Sequence, residues 1–372
     1  MAGLYIHIPF CTKKCHYCNF FSLPALEYLD EYIGALCKEI ILRQNYLSEP
    51  YSTIYLGGGT PSLLKKIHLQ QIFSTIQTYL QVSETEISME LNPDDITPEY
   101  LQMIRKMGVS RVSIGIQSFR DEDLIWLNRR HNGAQAISAI KQSRIAGFNN
   151  ISLDLIYAIP GQDLKVWKQQ VQKALELRPE HISAYSLTVE PGTALDHYIK
   201  KGTKENVSDS LAAECFAYLR KALISAGYEH YETSNFSLPG YRSKHNSSYW
   251  NGTPYMGIGP SAHSFDGNSR QWNVSALREY ITKINTDEIP CQVEILTITE
   301  KIDEYVMTSL RTIEGCDLQF ITNKFGEKYS NIIINNATSA LESGHLCITE
   351  NTLHVTEKGL FLIDGITANL FL

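Results

Sequence analysis

The sequence predicts an α/β protein, a partial barrel of six βα units followed by a smaller, mainly helical domain. Two observations carry this. Short β-rich runs alternate with longer stretches of helical periodicity through the first two-thirds of the chain, which is the pattern of βαβ units around a parallel sheet. At 372 residues the chain also exceeds the size at which a single hydrophobic core usually stops growing, so a large domain with an appendage is expected.

The strands are expected at 3–8, 53–57, 86–91, 111–117, 150–157 and 181–187. Between them apolar residues recur at helical spacing, as in Tyr28, Leu29, Tyr32, Ile33, Leu36, Ile40 and Ile41, and later in Leu211, Cys215, Phe216, Leu219 and Leu223. Six such units over 1–227 make a TIM-like barrel that stays open, and its reactive residues should gather at the C-terminal ends of the strands. From 228 to 290 the periodicity weakens while aromatics, Gly, Asn and Ser become dense, as in Tyr228 to Gly240 and Tyr249 to Gly259. This stretch reads as a loop-rich connecting region. Over 291–372, helical patterns precede a hairpin from His345 to Val355, turning at Glu350-Asn351, and a last helix from Lys358. That order is winged-helix-like.

Charge narrows the partners. The chain has 33 basic against 40 acidic residues, a net charge of −7, which opposes nonspecific attraction to phosphate backbones. The winged-helix-like segment 297–372 is itself acidic, with 5 Lys/Arg against 10 Asp/Glu. Nucleic acid is therefore not the expected partner, and a packing or docking role suits this domain better. Hydrophobic residues make up 43% and charged residues 20%, an ordinary globular composition. Met1 to Pro9 lacks a basic segment followed by an apolar one, and no stretch reaches the eighteen or so apolar residues of a spanning helix. A cytoplasmic protein without an integral membrane segment is expected.

The chemistry is concentrated near the start. Cys11, Cys15 and Cys18 fall in Ile8-Pro9-Phe10-Cys11-Thr12-Lys13-Lys14-Cys15-His16-Tyr17-Cys18. Thiolates suit iron–sulfur clusters, and a cubane normally takes one cysteine at each of four irons, so three cysteines leave one iron for another ligand. A zinc knuckle completed by His7 or His16 is the alternative. Zinc sites of that kind usually bring two separated ligand pairs, and no second pair appears downstream. The remaining five of the 8 cysteines are scattered singly, which speaks for a reducing compartment over a disulfide framework. Pro9 ends ladder pairing and turns the chain into the cysteine loop.

The second strand runs into Gly57-Gly58-Gly59-Thr60-Pro61, where missing side chains let a ligand approach the backbone. Glu90, Gln117 and Asp154 each interrupt an otherwise apolar strand end, and an ionised carboxylate in such surroundings needs a partner. Arg129 adds a planar donor suited to a carboxylate. Each alone reads as structural; gathered at strand ends they form a pocket. Outside the barrel, His245-Asn246-Ser247-Ser248-Tyr249-Trp250, with Tyr255 nearby, combines a histidine with large aromatics. A haem ligand and a surface turn packed on the barrel are both open from the residues alone, and the turn is the more common outcome.

With these residues in place the chain resembles the radical S-adenosylmethionine (SAM) proteins, marked by C-x3-C-x2-C. Within them it resembles the oxygen-independent coproporphyrinogen III oxidase-like family over nearly its whole length. The resemblance rests on Tyr5-x-His7-Ile8-Pro9-Phe10-Cys11-x3-Cys15-x2-Cys18, Gly57-Gly58-Gly59-Thr60-Pro61, Glu90, Gln117, Arg129 and Asp154. It implies a [4Fe-4S] cluster on Cys11, Cys15 and Cys18 and SAM contacts from Tyr5, Gly58 and Glu90. Tyr17, Gly59, Thr60, Gln117, Arg129 and Asp154 correspond to a second SAM site in the oxidase, and here imply a cofactor or substrate pocket. Two departures separate the chain from the oxidase: Asn19-Phe20 stands where a fourth cysteine follows, and Cys11 lies close to the start. Both match the haem-chaperone branch of the family, HemW, which is also marked by H-N-x-x-Y-W, met here by His245, Asn246, Tyr249 and Trp250. The branch implies haem binding through His245, delivery of haem to apoproteins, and an electron donor such as a flavodoxin or ferredoxin. The competing expectation is the oxidase reaction itself, radical decarboxylation of a porphyrinogen.

Overall fold

The structure, a computed structural model, describes residues 1–372, the side chain of Glu84 excepted. It opens with the expected alternation. Strand β1 (Ala2–Ile8) is followed by α1 (Leu29–Leu42), β2 (Tyr51–Gly58), α2 (Lys66–Tyr79), β3 (Val82–Leu91) and α3 (Pro98–Lys106). Then come β4 (Arg111–Gln117), α4 (Asp121–Trp126), α5 (Gly133–Ile145), β5 (Ile151–Tyr157), α6 (Leu164–Leu177), β6 (His181–Ser186), α7 (Ala194–Lys200) and α8 (Asp209–Ser225). Strands β1 to β6 pair in parallel in chain order, as short crossover connections require.

The stretch 228–290 corrects the sequence reading of a loop-rich connector. It contains β7 (Glu229–Glu232), β8 (Asn235–Ser237), α9 (Lys244–Trp250), β9 (Tyr255–Ile258), β10 (His263–Phe265), β11 (Ser269–Asn273) and α10 (Leu277–Asn285), with β12 (Cys291–Ile295) following. These strands extend both ends of the barrel sheet, giving the order β12-β11-β10-β9-β1-β2-β3-β4-β5-β6-β8-β7. Strand β9 runs parallel to β1, and β8 antiparallel to β6. Runs of three to five residues carry too little alternation to read as strands, and their partners lie far away in the chain. The third strand also begins earlier than expected, at Val82 instead of 86.

The last elements are α11 (Ile298–Ser309), β13 (Cys316–Asp317), α12 (Leu318–Phe325), α13 (Glu327–Glu342), β14 (Leu346–Thr349), β15 (Thr352–Val355) and α14 (Ile363–Ala368). They enclose their own core of Ile302, Val306, Ile321, Ile333 and Leu353, among others. A three-stranded sheet β13-β15-β14 forms the wing. Its turn is Glu350-Asn351, with φ of 49° and 63°, the doubled left-handed geometry that matches hairpin twist. Among the described residues no helix is long and apolar enough to cross a membrane.

Residue alternation decides what the barrel encloses. The strand positions facing the helices are apolar: Leu4, Ile6, Ile54, Met89, Val112, Ile114, Leu153 and Ile182 are all essentially buried in the main core. The alternate positions, facing the lumen, are polar or aromatic. Tyr5 pairs with Tyr55, Tyr55 with Ser88, and Ser88 with Arg111. One step higher Glu90 pairs with Ser113, and Asp154 pairs with Ser183. Because side chains alternate across a strand, the barrel holds a polar column where a closed barrel would be packed with branched apolar residues.

Candidate cofactor cavity at the open end of the barrel

The cysteine loop springs from the C-terminal end of β1 and is tied down at both ends. Cys11 N–H donates to the Leu23 carbonyl at 3.1 Å, and Leu23 N–H donates to the Pro9 carbonyl at 2.8 Å. Farther round, His16 N–H donates to Leu127 and Leu195 N–H donates to His16, so neighbouring connections hold the middle of the loop. Phe10 packs edge-on against Tyr32, ring centres 5.3 Å apart.

The glycine run after β2 is shaped by this loop. A side chain on Gly59 would stand 2.6 Å from the Phe10 carbonyl and 2.8 Å from that of Ile8. Gly58 has φ of 108°, and a side chain there would meet the His7 ring at 2.6 Å. Only glycine allows both the left-handed backbone and this approach. The His7 ring is fixed in turn: Nδ1 lies 3.0 Å from the Tyr5 hydroxyl and Nε2 3.0 Å from the Phe21 carbonyl. A carbonyl only accepts, so Nε2 carries the proton and Nδ1 accepts from Tyr5.

Above the lumen these elements border a cavity of about 400 Å³. Its walls include Cys11, Cys15, Cys18, Tyr17, Gly58, Gly59, Thr60, Glu90, Gln117, Arg129 and Asp154, so the strand-end residues that sequence analysis singled out face one space. Two of the thiols are joined by a belt of hydrogen bonds. Cys11 Sγ lies 3.2 Å from Thr60 Oγ1; that hydroxyl accepts from Asn92 Nδ2 at 3.3 Å. Asn92 Oδ1 accepts from Arg129 Nη2 at 2.7 Å, and Arg129 Nη1 donates to Cys15 Sγ at 3.4 Å. Arg129 is further held by the Gly115 carbonyl at 2.8 Å, while its buried Nε has no protein partner. An orphaned charged donor on the wall of a cavity is suited to an anionic ligand group. Gln117 sits at a φ of 64° beyond an irregularity in the β4–β5 register, and this turns the strand end over the cavity.

The carboxylates are held without close cations. Glu90 accepts from the Tyr55 hydroxyl at 2.9 Å and from Gly58 N–H at 3.1 Å. Burial pushes its pKa up to about 7, and the Tyr55 hydrogen bond pulls the other way. Burial also raises Asp154, opposed by hydrogen bonds from Ser183 and Ser113. A cationic or hydroxyl-bearing ligand would relieve both. Beside them burial raises Cys18 and Tyr17 above their ordinary values.

The donor set fits a cluster better than a single ion. Among the described residues no three His, Cys, Asp or Glu side chains converge on one metal position, the three loop thiols included, although all three thiols face the cavity. A tetrahedral zinc ion needs its sulfurs gathered about 2.3 Å from one point; a cubane takes them at separate irons.

Two expected site residues lie elsewhere. Tyr5 is not on the cavity wall; it is a luminal residue below it, stacked on Tyr55 with ring centres 6.2 Å apart. His245, expected to bind haem, is 1% exposed and closes the opposite end of the barrel. Its Nδ1 lies 2.8 Å from Thr53 Oγ1 and its Nε2 2.9 Å from the Tyr249 hydroxyl, and its ring stacks on Tyr55 at 5.0 Å. Both ring nitrogens are hydrogen-bonded within the protein. The motif serves here as the barrel floor: backbone N–H groups of Lys244 and His245 donate to Glu86 at 3.3 Å each. Sequence reading missed Asn92, Tyr55, Ser113 and the buried Arg111. The signal was the strict alternation in Ile87-Ser88-Met89-Glu90-Leu91-Asn92 and Arg111-Val112-Ser113-Ile114-Gly115, which marks a luminal polar face.

Fold and cavity together define a radical SAM protein, and comparison with known sequences agrees: the Radical SAM superfamily pattern matches residues 5–172 and the HemN C-terminal domain matches residues 296–362. The chain is 34% identical over 365 residues to the Heme chaperone HemW of Lactococcus lactis, covering 97% of this chain and 95% of the relative. It is also 34% identical over 367 residues to that of Bacillus subtilis, covering 97% of each. The chain belongs to the HemW family. Among solved structures, the coproporphyrinogen III oxidase HemN of Escherichia coli superimposes with a TM-score of 0.87 at 23% identity, over 100% of this chain and 90% of that one; the likeness is one of fold.

Proposed function

We propose that this chain is a haem chaperone, a cytoplasmic protein that binds haem and hands it to haem-requiring apoproteins while holding a [4Fe-4S] cluster and SAM at the open end of its barrel. The observation that carries the reading is the three-thiol wall without a fourth cysteine after Cys18, in a chain that aligns end to end with proteins named Heme chaperone HemW.

Cys11, Cys15 and Cys18 would hold three irons and leave a corner for SAM, whose chemistry on a reduced cluster is redox and radical chemistry. The protein's part is to position and to shield. Thr60 and Arg129 hydrogen-bond to two of the thiols, which lowers their electron density and fixes their direction. Glu90, poised near neutral pH, would ionise on meeting an ammonium group and accept its hydrogen bond. The orphaned Nε of Arg129 would take a carboxylate oxygen. An electron donor such as a flavodoxin or ferredoxin would reduce the cluster. Haem delivery then needs a site outside this cavity for the cargo, and a surface by which an apoprotein collects it.

The test is anaerobic reconstitution followed by iron and sulfide quantitation and haemin titration. About four irons and four labile sulfides per chain, with saturable haem binding, support the reading; stoichiometric zinc without sulfide, or no haem binding, overturns it.

A further inference from the structure

Three luminal rings, those of Tyr5, Tyr55 and His245, connect the two ends of the barrel, and Tyr55 touches the groups that matter at both. Thr53, Tyr55 and Gly57 share the luminal face of β2, because side chains alternate along a strand. The Tyr55 hydroxyl donates to Glu90 Oε1 at 2.9 Å, at the wall of the cofactor cavity. The face of the same ring lies against the His245 imidazole, with centres 5.0 Å apart and planes tilted by 24°. Gly57 leaves room for the upper contact: a side chain there would stand 2.8 Å from the Tyr55 ring and 2.9 Å from Glu90 Oε1. Tyr5 runs alongside, its ring 6.2 Å from that of Tyr55 and 6.5 Å from that of His245. Its hydroxyl donates to His7, whose other nitrogen donates to the Phe21 carbonyl just beyond the cysteine loop.

Rings in contact couple two sites only when a ligand at one of them favours one arrangement over another. Glu90 meets that condition. Its Oε2 is held by Gly58 N–H at 3.1 Å and its Oε1 by Tyr55, and burial leaves the carboxyl partly protonated near neutral pH. An ammonium group arriving in the cavity makes it fully anionic, and a hydroxyl donating to an anion is held roughly twice as strongly as one donating to a neutral acid. Tyr55 is then fixed more firmly in the position that backs His245. At the floor, an iron can take the imidazole only when the hydroxyl of Thr53 or Tyr249 gives up its nitrogen. Haem therefore draws the ring against the hold of its neighbours, and a firmer Tyr55 strengthens that hold.

We propose that Tyr55 couples the two ends of the barrel: SAM seated on Glu90 holds His245 in the floor and weakens haem binding, so the cofactor end regulates retention of the cargo. This rests on the haem-chaperone reading, with His245 as the haem contact. By reciprocity haem weakens SAM binding by the same factor. The arrangement suits a carrier, because haem loaded in the absence of SAM is released more readily once SAM binds.

The test titrates haemin into the full-length protein carrying its oxidised, reconstituted cluster, without SAM and at saturating SAM, and reads the Soret band. Wild type should bind haem about fivefold more weakly with SAM, within the usual span of coupling between sites, and the loss should level off once SAM saturates. Isothermal titration of SAM with and without haem should return the same factor. Tyr55→Phe keeps the ring but loses the hydroxyl, and should remove the effect. Thr53→Val, which loosens the floor without touching Glu90, should keep it. Circular dichroism and cluster absorbance confirm that each variant is folded. Equal or tighter haem binding with SAM, a loss that keeps growing with SAM as direct competition requires, an undiminished effect in Tyr55→Phe, or its disappearance in Thr53→Val would overturn the coupling while the chaperone reading stands. If wild type binds no haem with or without SAM, the chaperone reading falls and the coupling with it.

Discussion

The Nδ1 atom of His245 lies 2.8 Å from the hydroxyl of Thr53, a contact that fastens the H-N-x-x-Y-W segment to the start of β2. It joins residues 192 positions apart and closes the barrel at the end away from the cysteines. Removing the ring would orphan the Thr53 and Tyr249 hydroxyls and open a void against Tyr55. His245→Ala is expected to cost about 3 kcal/mol, the usual range for a buried polar network and lost packing. Urea denaturation measures it, and a loss below about 1 kcal/mol would contradict the floor role.

The same contact makes stability depend on acid. Burial drives the His245 pKa down to about 3, with Arg111 adding to the effect, so the folded state keeps the ring neutral while the unfolded chain protonates it near its ordinary 6.5. The contribution is complete above 6.5 and is lost as pH falls toward 3, by up to ~1.4 kcal/mol per pH unit. The stability gap between wild type and His245→Gln should therefore shrink between about pH 6.5 and 5. A constant gap would mean that the ring is not buried neutral.

For the cluster, Cys11→Ala, Cys15→Ala and Cys18→Ala should each abolish the visible absorbance of the reconstituted cluster. Cys37→Ala should not, since Cys37 sits on α1 and is absent from the cavity wall. Retention of full iron and sulfide by any of the three loop variants would contradict the assignment.

Gly59→Ala tests the packing of the cysteine loop with no change of ligand. The added methyl would press on the Phe10 and Ile8 carbonyls at 2.6 and 2.8 Å, so loop or strand must shift. Cluster incorporation should fall severalfold while far-UV circular dichroism stays near wild type. Unchanged incorporation would show that the loop has slack the structure does not suggest.

Glu90→Gln should weaken SAM binding about tenfold, roughly the worth of one charge-assisted hydrogen bond. Because Glu90 titrates near 7 and only its anion attracts an ammonium, wild-type affinity should drop as pH falls from about 8 to 6 and the variant should lose that dependence. Isothermal titration on the reconstituted protein reads both; an equal pH profile in the two would remove Glu90 from the site.

Much of this was legible in the chain alone. The cysteine spacing, the triple glycine and the carboxylates at strand ends are local patterns, and a parallel βα array carries local residues to one end of its sheet by its own geometry. That is why Cys11, Gly59, Glu90, Gln117, Arg129 and Asp154 meet in one cavity without any long-range fact being known. The belt through Thr60 and Asn92 was hidden, because hydrogen-bond partners separated by 32 residues or more leave no mark in sequence.

The sequence by itself determined the class of protein, the polar lining of the barrel and the loop built for soft metal chemistry, since each depends on residue type and short-range spacing. Only the tertiary structure decided which strands flank the barrel and which end His245 occupies. Strands β7 to β12 are too short to announce themselves and find their partners through contacts that no local pattern encodes. A histidine beside two aromatics gives no local sign of its neighbours, and the Thr53 and Tyr249 hydroxyls that meet its two nitrogens are placed there by the fold alone.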